Sequence, residues 1–468
     1  MGFFNLPAEL RNHIYELALV LSDGVLPTKN ENENGAPATA LLAACPRIRS
    51  EAEQIYWRQN TFHFNLNTED LLAGAPEASR WMSGKSVHAA MPPSIPTTQT
   101  VALVRTLGGP VEFVHDYPVQ LPGQDEVLAK VLYTGVCQSD LHTRAGTAAG
   151  ADGKPITAIK LPHIGGHEGV GRIVALGSGL GERDPSIQVG GLVGIRFSSR
   201  VCRRCEYCLK GEEQYCQGVG ILPTNHLHHE DGAFQEYVCL DAGYITLLPQ
   251  DVDPVLAAPT LCAGLTAYKA VKNSEVGVGE WMVVVGAGGG LGQYAVQYAL
   301  AQGARVIGVD GGQQKRDLVT SFGAQFVDFR ETPDVVSKVQ ELTAGGANAV
   351  IVAAASSAAF AQAASMLRIG GTMCLIGIPP GGGHIETTVA EIVIKGIKIK
   401  GNLVGNLGEC LAAVELVRTG VVKPKVYVRP FKDLSKVYEE LERGDIAGRV
   451  VLKIGEDTGA NVERASKL

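Results

Sequence analysis

The sequence predicts an α/β protein: a mostly β domain, then a doubly wound parallel sheet, preceded by a small helical segment. Three observations carry this. Residues 100–245 hold short Val-rich runs broken by Gly and Pro, the pattern of short strands joined by long loops. From near Pro259 to about residue 404, apolar runs at 281–285, 305–309, 349–353 and 372–376 alternate with Ala-rich helical patterns, which is the βα alternation of a parallel sheet. The first of these runs enters Gly286-Ala287-Gly288-Gly289-Gly290-Leu291-Gly292, a strand-turn-helix junction.

Ahead of these domains, residues 7–21 place Leu10, Ile14, Leu17 and Val20 at helical spacing. A second helical stretch, 40–56, is broken or kinked at Pro46, and 60–64 alternates as a short strand does. The expected organisation is an N-terminal segment 1–83, a Ser/Pro/Thr-rich linker 84–99, the β domain 100–258, the parallel-sheet domain 259–404, a return to the β domain over 405–455, and a tail 456–468.

At 468 residues the chain is long enough for two to three domains. With 45% hydrophobic residues, 19% charged and a net charge of -7, it lacks the basic field that nucleic acid demands. Glu9, Arg11 and Glu16 interrupt the apolar N-terminus, which excludes a signal peptide and an Arg-rich transit peptide and leaves the cytoplasm as the expected location. Residues 281–304 and 345–367 carry no charge, yet their Gly, Ala, Ser and Gln fit buried strand-to-helix units better than membrane spans. Ten cysteines in so long a chain fit a reducing compartment.

Four of those cysteines, Cys202, Cys205, Cys208 and Cys216, fall within fifteen residues, a spacing that closes a tetrahedral zinc site. Four thiolates leave no open position, so this metal holds a lobe in place and does no chemistry.

The glycine-rich turn misses the strict G-x-G-x-x-G and reads better as G-x-x-G-x-x-G on Gly286, Gly289 and Gly292. Such a turn lets a pyrophosphate approach a helix N-terminus, where free amides favour an anion. Asp310 ends the next strand, eighteen residues after Gly292, and a carboxylate there accepts the ribose hydroxyls and repels a 2′-phosphate. That predicts NAD over NADP, with Lys315 a second ribose contact; the alternative for Asp310 is a plain strand-end cap. Gly290 and Leu291 of the same turn, and Gly377 and Ile378 just after the run 372–376, are the remaining candidate cofactor contacts.

Three further positions offer ligand chemistry: Cys137 in GVCQSDLH, His167 in GGHEGVG and Cys262 in APTLCAGLT. Two thiolates and an imidazole make a catalytic zinc set with one open position. No spacing rule links them, and each alone also reads as a buried cysteine or a satisfied core histidine.

These motifs, with the four-cysteine loop between them, occur in the order found in zinc-containing medium-chain alcohol dehydrogenases, and residues 91 to 455 resemble the fungal, yeast-type class. The resemblance implies a GroES-like catalytic domain, a Rossmann domain, two Zn2+ per chain, NAD, and interconversion of short- to medium-chain primary alcohols and aldehydes by a homotetramer. It assigns Cys137, His167 and Cys262 as catalytic zinc ligands, Glu168 as an alternative ligand, Asp140 as the carboxylate orienting His167, and Ser139 with His142 as a proton relay. Three departures stand out. Leu407 and Gln138 replace residues that face the cofactor phosphates, and Gly146-Thr147-Ala148-Ala149-Gly150 replaces a bulky tryptophan, implying a roomier pocket. The loop before Asp231 is longer and holds His226, His228 and His229, read as a solvated loop in preference to another metal site. Residues 6–15, 45–52 and 60–64 resemble a fungal F-box-like module, which implies a protein partner or a fused remnant. Two other readings of the whole are a zinc reductase of larger aldehydes or polyols, and a non-catalytic binding protein acting through the N-terminal segment.

Overall fold

The computed structural model describes residues 95–217, 224–379 and 381–456, all within one compact unit. The expected N-terminal helices, the F-box-like motifs, most of the linker and the tail beyond Glu456 lie outside the described residues.

The chain first pairs β1 (Thr98–Leu103) with β2 (Glu112–Pro118). It then lays down β3 (Glu126–Gly135), α1 (Gln138–Ala145), β4 (Gly169–Leu176), β5 (Leu192–Ile195), β6 (Ser198–Arg200), β7 (Thr224–Asn225), β8 (Tyr237–Asp241) and β9 (Thr246–Leu247). Two helices follow, α2 (Pro254–Pro259) and α3 (Leu265–Ser274), joined by a π-helical turn over Thr260–Gly264. Single π turns recur at functional sites, because the extra residue re-aims a side chain; here the turn carries Cys262.

The parallel sheet consists of β10 (Trp281–Val285), β11 (Arg305–Asp310), β12 (Gln325–Asp328), β13 (Ala347–Val352), β14 (Leu367–Leu375) and β15 (Lys398–Gly401). Its order is β12-β11-β10-β13-β14-β15, with every neighbouring pair parallel. Helices α4 (Gly292–Ala301), α5 (Gln313–Ser321) and α6 (Val389–Lys395) belong to its crossovers. Val283, Ile307 and Val350 bury one face of the sheet, and Met282, Val284, Val306 and Ile351 the other, which is why these strands read as continuous apolar runs. Strand order reverses between β10 and β13, and the crevice at the carboxyl ends of such strands is where a doubly wound sheet takes a ligand.

After α7 (Leu407–Arg418), β16 (Val426–Pro430) and β17 (Arg449–Lys453) return to the sheet that holds β3. β17 pairs antiparallel with β3, giving seven strands in the order β16-β17-β3-β4-β5-β9 with β8 also on β3. The α/β class, with a β domain beside a doubly wound sheet, is the one expected.

Candidate active site

Cys137 is the N-cap of α1, and its backbone N–H donates to Asp140 Oδ2 at 3.1 Å. Asp140 Oδ1 accepts from the Gly166 N–H and lies 3.0 Å from His167 Nδ1. A fully buried carboxylate thus fixes the ring so that Nε2 faces Cys262 Sγ, 3.2 Å away. The loop before His167 is squeezed against residues 232–234: a Cβ on Gly166, whose φ is +97°, would stand 2.9 Å from the Phe234 nitrogen. Only glycine fits there. Phe197 packs edge-on against the His167 ring at 6.4 Å.

Ligand atoms of Cys137, His167, Glu168 and Cys262 lie within 4.8 Å of one another, all buried. A tetrahedral zinc with about 2.0 Å to nitrogen and 2.3 Å to sulfur fits such a set. The hydrogen bond from Cys262, with Arg449 and His167 adding their charge, holds the Cys137 thiol well below its ordinary value despite burial. The second cluster, Cys202, Cys205, Cys208 and Cys216, has Sγ–Sγ separations of 4.0 Å (Cys202–Cys208) and 3.8 Å (Cys205–Cys216). Tetrahedral thiolates about a zinc sit about 3.8 Å apart, so this set fits a closed structural site. The protein therefore has one closed zinc site and one catalytic zinc site.

Glu168 is gripped by Arg449, whose Nε donates to Oε2 at 3.1 Å and whose Nη2 meets Oε1. Burial drives the Glu168 carboxyl up to about 7 even though Arg449 opposes the shift. Gly135 makes room for it, since a Cβ there would fall 2.0 Å from Glu168 Oε2. Arg449 also reaches the glycine-rich turn: a Cβ on Gly290 would stand 2.4 Å from its Nη1, and the Gly448 N–H donates to the Gly288 carbonyl at 2.9 Å. Sequence reasoning missed Arg449, Gly135 and Phe197. A lone arginine in a C-terminal strand carries no local signal.

On the turn, Gly286 has a φ of +83°, and Cβ atoms on Gly288 and Gly292 would fall 2.5 Å from Lys315 Cβ and 2.0 Å from the Gly286 carbonyl oxygen. Gly289 is the tolerant one, its nearest neighbour being 3.4 Å away. α4 starts at Gly292 behind Leu291 with no side-chain cap, and the N–H groups of Gln293, Tyr294 and Ala295 donate back to the Gly289 and Leu291 carbonyls of the turn. Asp310 Oδ2 accepts the Gly288 N–H, while Oδ1 takes the Gly311 N–H and lies 3.1 Å from Lys315 Nζ. Gly377 closes against Ala354 on the same edge of the sheet, and Ile378 beside it is exposed.

Ser139 and His142 do not touch directly. Ser139 Oγ is 3.7 Å from Cys137 Sγ, and His142 is held by Gln138 Nε2 on one nitrogen and Thr147 Oγ1 on the other. An amide nitrogen only donates, so His142 Nε2 accepts and Nδ1–H donates to Thr147. The histidine loop is corrected in part: His226 and His228 are buried, not solvated, while His229 is exposed as expected, and no metal cluster among the described residues includes them. The His226 Nδ1–H donates to the Asp231 carbonyl, and Asn225 Oδ1 accepts the N–H of Leu227 and His228, which folds the loop inward. The Leu407 N–H donates to Glu213 in the zinc lobe, and Arg449 places a cation beside the turn at Gly290.

Comparison with known proteins gives the same picture. The zinc-binding dehydrogenase family matches residues 290–419 and the alcohol dehydrogenase GroES-like domain residues 123–250. An alcohol dehydrogenase of Schizosaccharomyces pombe is 41% identical over 364 residues, covering 77% of this chain and 99% of its own. Alcohol dehydrogenase 1 of Emericella nidulans is 39% identical, covering 78% and 100%. Among solved structures, the alcohol dehydrogenase of Aeropyrum pernix superposes with a TM-score of 0.67 at 29% identity, over 76% of this chain and 99% of that one. The acetophenone reductase of Geotrichum candidum, solved with NAD, does so at 0.66 and 28%, over 77% and 98%. This chain belongs to the zinc-binding alcohol dehydrogenases.

Proposed function

We propose that this chain interconverts short- to medium-chain primary alcohols and their aldehydes, with NAD as hydride acceptor. The observation that carries the reading is Arg449, one side chain joining Glu168 of the metal cluster to the glycine turn at Gly290. Zinc bound by Cys137, His167 and Cys262 supplies a Lewis acid for the substrate oxygen, and NAD on the turn supplies the hydride acceptor. Asp140 orients the His167 ring, and Glu168 stands beside the ligands as a reserve carboxylate. Asp310 with Lys315 takes the ribose hydroxyls, while Gly286, Gly290, Leu291, Gly292, Gly377 and Ile378 border the dinucleotide. Ser139 and His142 lie three residues apart on one face of α1, so a hydroxyl-bearing group between them completes a proton path. His142 is lowered mainly by burial, which leaves it neutral near pH 7 and able to accept that proton.

The missing bulk over residues 146–150 favours substrates longer than ethanol. Initial rates of NAD reduction over ethanol, 1-propanol, 1-butanol and benzyl alcohol, beside a Cys262→Ala variant, test the reading. Turnover that disappears in the variant and does not fall with chain length supports it; no turnover in zinc-loaded protein overturns it. A rate with benzyl alcohol far above the others would favour the larger-carbonyl reading, toward which the named substrate of the acetophenone reductase also points.

A homo-oligomer, a tetramer by family resemblance, also belongs to this reading. β15 is an edge strand, and α6 beside it exposes Val389, Val393 and Ile394. Light scattering that returned a monomer would overturn it. None of the nine cysteines among the described residues is in a disulfide, and six of them belong to the two metal clusters, which suits a reducing compartment.

A further inference from the structure

β11 and β12 run parallel and in register from Ile307 opposite Gln325 to Asp310 opposite Asp328. Residues 311–312 and 329–330 therefore leave the sheet together at its carboxyl edge. A Cβ on Gly311 would stand 2.8 Å from Arg330 Nε and 2.8 Å from Phe329 Cζ, and one on Gly312 3.2 Å from Arg330 Nη1. The guanidinium and the ring edge thus lie directly over the two bare peptides that follow Asp310. Phe329 is half exposed there, with the Arg330 guanidinium 5.8 Å from its ring centre.

The other charges at this edge are committed. Asp310 is matched by Lys315 and two backbone N–H groups. Arg316 pairs with Asp328 and Glu331, and Asp328 also receives the N–H groups of Gly312 and Arg330. The Arg330 guanidinium has no hydrogen-bond or ion-pair partner among the described residues.

We propose that Arg330 is a specificity-determining residue that reads the 2′ position of the adenosine ribose, so that the site takes 2′-phosphorylated dinucleotides as well as NAD. The inference rests on the reading that the ribose sits at Asp310. A carboxylate alone would repel a 2′-phosphate, and an arginine nearby accommodates one. Asp310 has its charge offset by Lys315, and Arg330 presents a planar fork that matches phosphate oxygens in pairs, poised over glycines that leave the space open.

Calorimetric titration of the full chain with 5′-AMP and with 2′,5′-ADP tests this without turnover or metal. The expected result is that 2′,5′-ADP binds within about tenfold of 5′-AMP, and that Arg330→Ala weakens 2′,5′-ADP at least about tenfold but 5′-AMP less than about threefold. Arg330→Lys, which keeps the charge and loses the fork, falls between. Unchanged 2′,5′-ADP affinity in Arg330→Ala, or wild-type affinity more than about a hundredfold below that for 5′-AMP, overturns the role of Arg330 alone. Failure of both nucleotides to bind overturns the cofactor-site reading, and this inference with it.

Discussion

Arg449 and Glu168, 281 positions apart in the chain, form an ion pair whose side chains are 4% and 0% exposed. Removing one partner of such a pair strands the other charge in a medium that cannot solvate it. Arg449→Met should therefore cost about 3–5 kcal/mol, and adding Glu168→Gln should return part of it. Urea unfolding of the two single variants and the double variant measures this. A single-variant loss below about 1 kcal/mol would mean the pair is not buried as described.

Gly292 and Gly289 stand three residues apart and face different surroundings. A Cβ at 292 collides with the Gly286 carbonyl oxygen at 2.0 Å, whereas one at 289 makes an ordinary 3.4 Å contact with the same atom. Gly292→Ala should cost about 1–3 kcal/mol and abolish NAD binding, because α4 must shift away from the turn. Gly289→Ala should stay within about 0.5 kcal/mol in thermal unfolding. Equal effects at the two positions would contradict the packing of the turn.

The four-cysteine lobe reaches the start of α7 and the segment leading into it through three bonds. Glu213 accepts the Leu407 N–H at 2.7 Å, the Asn406 side chain donates to the Gly211 carbonyl, and Tyr215 Oη accepts the Leu403 N–H. Cys208→Ser should lower zinc content by one per chain and raise amide exchange across 403–409. A helix cap is worth about 1 kcal/mol, so the midpoint of unfolding should fall by several degrees. Unchanged exchange at Leu407 would show that the lobe does not hold this helix.

The parts legible in the sequence are those whose partners are close in the chain. Cys202 to Cys216 announce their metal by spacing alone, and the run 281–285 with its glycine turn announces the parallel sheet. Cys137, His167 and Cys262 share no such spacing; only the family resemblance joined them, because the fold brings them together across 95 residues between His167 and Cys262. Arg449 was illegible for the same reason at greater distance. Leu407 stood out only as a replaced residue facing the cofactor phosphates; that its N–H goes to Glu213 and that Arg449 lies beside Gly290 depends on contacts far apart in the chain. His226 and His228 were misread because polarity was taken for exposure, which holds only for His229. Asn225 turns the backbone inward, and that is a contact sequence pattern does not show.

His228 gives the last prediction, on acid stability. Burial pushes its imidazole down to about 3, with the nearby His229, His167 and His163 adding to the shift, and its Nε2 has no hydrogen-bond partner among the described residues. The unfolded chain takes up a proton near pH 6.5 while the native chain refuses it until about 3. Between those values the unfolded state binds more protons, so native stability falls as pH falls, and above about pH 7 the group contributes nothing to the slope. At pH 5 the deficit from this one residue is about 2 kcal/mol. Urea midpoints at pH 7.5 and pH 5 for the zinc-loaded protein and for His228→Gln should show a smaller drop in the variant. If the two drops are equal, His228 is protonated in the native state or reached by water.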